Sequence, residues 1–119
     1  MAEDKVVIGL SLEANKIADI LEETGYFEDK LSIAKFAFGY AIKNGFDLEI
    51  SEYKIGEPGG TKWNIGSVDN DQYLREFIVS LYPETDTPYR HVEALMNAGL
   101  ISIGKFIEEN RLNRISDLM

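Results

Sequence analysis

The sequence predicts a mainly α fold entered through one short β-strand. Lys5-Val6-Val7-Ile8-Gly9-Leu10 is a β-rich apolar run. Two helical segments follow it at once, parted only by Thr24-Gly25, and helix start and stop residues return after residue 66. The chain of 119 residues is one domain's worth. A domain of that size buries roughly two-thirds of the surface its unfolded chain exposes, enough for a core without staples.

Each element has its own signal. Ser11 is placed to cap a first helix running to Thr24, in which Ala14, Ile17, Ala18 and Leu21 form one inward stripe and Lys16, Asp19, Glu22 and Glu23 take the other side. Gly25 ends that helix, because glycine enters the left-handed conformation without a Cβ clash. Residues 28–43 read as a second helix that is apolar nearly all round: Leu31, Ile33, Ala34, Phe36, Ala37, Phe38, Tyr40, Ala41 and Ile42. Such a helix must be buried nearly all round. One reading makes it the central core helix of a monomer. The other gives one face to its own domain and the other to a second subunit. Three aromatics are much for one small core, so the second reading is preferred, with Val7, Phe36, Phe38 and Tyr40 at the interface of a dimer or tetramer.

Residues 5–45 are therefore expected to form a strand–helix–helix oligomerisation unit. Residues 46–66 read as a connector: an alternating stretch over 49–55 is followed by Gly56-Glu57-Pro58-Gly59-Gly60, a loop signature. Residues 67–110 carry the C-terminal helices. Ser67 or Asp69 caps one through Tyr73, Leu74, Phe77, Ile78 and Leu81, which Pro83 stops. Thr87-Pro88 starts the next, which runs to Asn97-Ala98-Gly99. Leu100, Ile101, Ile103, Phe106 and Ile107 make a last apolar stripe, and residues 111–119 are a polar tail. The whole is expected to be one domain, 1–119.

Composition narrows the function. With no cysteine, disulfides, thiolate metal sites and cysteine nucleophiles are excluded, and a reducing, cytoplasmic setting is expected. The acidic start Met1-Ala2-Glu3-Asp4-Lys5 is unlike a signal peptide, and no run of ~18 apolar residues offers a membrane span. Twelve Lys and Arg face twenty-one Asp and Glu, a formal net charge of −9. DNA repels such a chain at long range unless basic residues gather locally. The first 45 residues hold five lysines against eight acids, so that segment is not basic either.

The chemical motifs are sparse. Gly56-Glu57-Pro58-Gly59-Gly60-Thr61-Lys62 has Thr61 where a phosphate loop needs glycine and Trp63 where it needs Ser or Thr. His91 is the single histidine, so an imidazole-based metal site or a serine triad lacks partners, and a solvent-facing or capping role is expected of it. Asp69, Asp71 and Glu76 fit helix capping better than a calcium loop, whose later positions Tyr73 and Leu74 break. Neither a cofactor nor a metal is implied, and the expectation is a non-enzyme. Thr61-Lys62-Trp63-Asn64 has two readings: Trp63 grips a base or a partner protein, or it folds the connector onto the core.

The strand and the helix pair broken at Glu23-Thr24-Gly25 resemble the ribbon–helix–helix unit. A larger part of the chain, most of residues 10–107, resembles the small DndE family associated with DNA sulfur modification (phosphorothioation). The resemblance rests on Glu23-Thr24-Gly25, on Thr61-Lys62-Trp63-Asn64 and on Asn97-Ala98-Gly99-Leu100-Ile101-Ser102-Ile103. It implies an oligomeric, non-catalytic, DNA-associated accessory protein of a DNA modification or defence system. Val7 and Gly9 follow Lys5 on one face of the strand and cannot read bases by side-chain hydrogen bonds. Glu28 and Asp29 stand where the second helix would clamp phosphate. DNA contact is thus expected through the backbone, from Lys5, Lys30, Lys35 and Lys62 gathered by several subunits. The alternative is an acidic protein–protein adaptor that keeps the dimer fold without DNA binding. Gathered lysines favour the first and scattered lysines the second.

Overall fold

The computed structural model describes residues 7–45, 57–69 and 71–108. Lys5, the alternating stretch over 49–55 and the tail 111–119 lie outside them. The elements run β1 (Val7–Ser11), α1 (Leu12–Glu22), α2 (Lys30–Lys43), β2 (Pro58–Asn64), α3 (Ile65–Val68), α4 (Tyr73–Leu81) and α5 (Pro88–Glu108). The mainly α architecture with a short N-terminal strand is as the sequence predicts.

Local chemistry explains the first boundaries. Ser11 Oγ accepts the Ala14 N–H at 3.1 Å and caps α1. Gly25, at φ 78°, turns the chain out of the helix. The second helix starts two residues later than expected, because Asp29 leaves the helical conformation and uses its carboxylate as the cap, accepting the Ser32 N–H at 2.8 Å.

The connector is where expectation and structure part. Residues 58–64 form β2, antiparallel to β1, with Ile8 opposite Trp63 and Gly9 opposite Lys62. Further along, Ser11 faces Pro58, so two steps on β1 are matched by four on β2, a bulge. The two glycines serve that bulge. Gly60 takes φ 90°, and a Cβ on Gly59 would stand 2.7 Å from the Ser11 carbonyl oxygen. What reads as loop chemistry is the chemistry of a kinked strand pressed on its neighbour.

The C-terminal region also differs from its expected division. Gly99 does not end a helix; α5 runs unbroken from Pro88 to Glu108 and is the centre of the molecule. Its most extensive packing is against α2, with α1, α4 and β1 around it. Gly99 meets the Ala37 carbonyl so closely that any Cβ there would collide with it. The glycine is kept for helix contact rather than for capping. Ile8, Leu10, Leu21, Ile33, Phe38, Ile78, Leu95, Met96, Leu100 and Ile103 fill the core around this axis.

Candidate interaction surface

The described polar chemistry concentrates on one side of α5. Tyr89, Glu93 and Asn97 recur every four residues and share a face. The Tyr89 hydroxyl donates to Asp69 Oδ2 at 2.9 Å, and the same carboxylate accepts the Leu74 and Arg75 N–H groups at 3.0 Å each. Asp69 thus caps α4 across a turn in which Gln72 sits at φ 61°. Further along, Glu93 Oε2 accepts the Gly9 N–H at 2.9 Å. Asn97 Oδ1 accepts the Ser11 N–H at 2.8 Å, while its Nδ2 donates to the Gly9 carbonyl at 3.0 Å and the Glu93 carbonyl at 2.8 Å.

This arrangement stands in for a third strand. One edge of β1 pairs with β2; the other edge offers Gly9 and Ser11 backbone groups, which Glu93 and Asn97 satisfy. Both side chains are almost wholly buried, where an unpaired backbone group costs about 1–3 kcal/mol. A ribbon–helix–helix dimer pairs this strand with its copy. Here the strand is occupied on both edges within one chain.

His91 departs from the exposed role expected of it. Its imidazole is 5% exposed and stacks on Tyr82 with centroids 4.3 Å apart. Nδ1 has no hydrogen-bond partner, and burial lowers the pKa below the ordinary histidine value. Among the described residues no group of three or more histidines, aspartates and glutamates is arranged to hold a metal ion, and no helix is long and apolar enough to cross a membrane.

Lys30, Lys35 and Lys62 do not gather. Lys30 Nζ is ion-paired with Asp19 and lies 3.4 Å from Asn15 Oδ1. Lys35 is exposed and about 140° further round α2. It contributes, after the Ser32 backbone N–H and the Ser32 hydroxyl, to holding the Asp29 carboxyl below its usual value. Lys62 leaves β2 on the side opposite Thr61, whose hydroxyl donates to Asn15 Oδ1 at 2.6 Å. Of these three candidate lysines, two stand beside an acid and the third faces another way.

The residues expected at a subunit interface are divided by burial. Phe38 lies in the chain's own core at 5% exposure, its ring edge-on to Phe77. Phe36 is half-buried against Phe27, and Tyr40 and Val7 are half-buried as well. Trp63 faces inward from β2 beside Ile8 and packs against the core, half-buried.

One surface stands out on the helix expected through Tyr73, Leu74, Phe77, Ile78 and Leu81, where no exposed face was singled out. On α4, Ile78 is buried and Leu74 half-buried, yet Tyr73, Phe77 and Leu81 are 70%, 45% and 46% exposed. They fall at i, i+4 and i+8 and make a continuous apolar stripe. The available signal was breadth: five large apolar residues in a nine-residue helix exceed the one stripe a surface helix buries. No protein-family model, curated protein or solved structure matches the chain.

Proposed function

We propose that this protein is a non-enzymatic, acidic protein–protein interaction module of the adaptor type. The observation that carries the reading is the placement of Lys30, Lys35 and Lys62 on different faces, two of them beside acids, in a chain of net charge −9. Phosphate binding needs several cations on one surface, and Lys30, Lys35 and Lys62 do not form one. The buried carboxylates of Asp69 and Glu93 accept backbone N–H groups and hold elements together, which supports an architectural rather than a chemical role for them.

A second reading keeps the DNA-associated, oligomeric accessory role that the family resemblance implies. It is favoured by the outer face of the β1–β2 ribbon, where exposed Gly60, Lys62 and Asn64 follow one another and alternate with half-buried Thr61 and Trp63. A two-stranded ribbon fits the major groove, and Lys and Asn are base-reading side chains.

Fluorescence anisotropy with duplex, nicked and single-stranded DNA at ~50 and ~200 mM salt separates the two. The adaptor reading expects no binding to any of the three at the lower salt. Affinity that falls steeply with salt would overturn it in favour of the ribbon, and Lys62→Ala should then weaken that binding.

A further inference from the structure

We infer that the exposed stripe of α4 is a docking site for a cationic amphipathic helix of a partner protein. The inference rests on the adaptor reading and names the surface and the chemistry of its occupant. Tyr73, Phe77 and Leu81 face solvent along the length of α4, while Leu74 and Ile78 hold the helix to the core. Their apolar exposure is therefore not a by-product of a loosely held segment. The Phe77 ring packs edge-on against buried Phe38, centroids 6.1 Å apart. It is fixed before any partner arrives, which lowers the ordering cost of binding. A stripe at four-residue spacing, with two aromatic anchors and a polar border, is what an apolar helix face packs against.

Charge selects the occupant. The row next to the stripe is Glu76 and Ser80. Exposed Asp71 precedes the helix and exposed Glu84 follows it, whereas Arg75 lies on the other side of α4. A second copy of this chain would bring Glu76 against the same acidic border and two charges of −9 together, so self-pairing is opposed at this face. A helix with apolar residues at i, i+4 and i+7 and lysines or arginines beside them is attracted by the same field.

The test uses the full chain and a fluorescein-labelled 18-residue leucine–lysine amphipathic peptide, with a leucine–glutamate peptide of identical apolar face as control. The cationic peptide should bind with micromolar affinity and the acidic one should not. The surface variant Tyr73→Ser/Leu81→Ser should weaken binding about tenfold or more, with an unchanged circular dichroism spectrum, because both residues are exposed. Glu76→Lys should weaken it too, by a factor that shrinks as salt is raised, because that loss is electrostatic. Equal binding of both peptides, or undiminished binding by Tyr73→Ser/Leu81→Ser, overturns the site while leaving the adaptor role standing. A dimer in sedimentation that the same double variant abolishes makes a second copy the occupant and overturns the inference. Salt-steep DNA binding without peptide binding overturns the inference together with the role on which it rests.

Discussion

Burial of His91 against Tyr82 makes its imidazole harder to protonate than one in water, since the charged form loses hydration and Nδ1 has no acceptor facing it. The folded pKa lies below 6.5, so between the two values the unfolded chain binds the extra proton. Stability from this group is complete above the unfolded value and declines as pH falls toward the folded one. Melting temperatures of the wild type and His91→Phe, compared from pH 7.5 to 5.5, should show a steeper acid loss in the wild type. Parallel curves would mean that His91 is not the group responsible. Two glycines make a second contrast at this scale. A Cβ on Gly99 meets backbone, the Ala37 carbonyl, which cannot move without moving α2. On Gly104 it meets the Ile17 side-chain tip at 2.5 Å, which can change rotamer. Gly99→Ala should therefore cost about 1–3 kcal/mol in urea denaturation, and Gly104→Ala clearly less. Equal costs would show that the close approach of α5 to α2 is not specific to Gly99. Both residues are visible in the sequence as glycines in an apolar run, but only the packing partner says which is essential.

At the scale of elements, β1 is held on one side by β2 and on the other by the polar side of α5. Asn97 alone satisfies the Ser11 N–H and the Gly9 carbonyl. Asn97→Leu should leave both groups orphaned and cost about 2–4 kcal/mol, above the cost of a surface substitution. Because Trp63 lies opposite Ile8, its emission should shift to longer wavelength in the same variant at lower urea than in the wild type. An unchanged midpoint would sink the idea that α5 acts as the missing strand. Helix caps were legible because capping is local: Ser11, Gly25 and Pro88 act within a turn of themselves. β2 was not, since Pro58-Gly59-Gly60 carries the same residues for a bulge as for a loop. Which of the two forms depends on a strand some fifty residues away.

For the molecule as a whole, the net charge of −9 acts over a Debye length and sets which partners approach. It is why the DNA titration is expected to be negative at low salt, where repulsion is least screened, and why a cationic helix is the favoured occupant of α4. The first expectation comes from composition and holds for any arrangement of the charges except one that gathers the lysines; the second also needs Glu76, Asp71 and Glu84 near the stripe. The sequence by itself determined the helical class, the leading strand, the caps and the sign of the field, because propensity, capping and charge are local or additive properties. Only the tertiary structure decided that α5 is one central helix, that Glu93, Asn97 and His91 are buried, and that Tyr73, Phe77 and Leu81 are left outside. A side chain's burial depends on which distant element reaches it first, and α2, β1 and β2 leave the outer stripe of α4 uncovered.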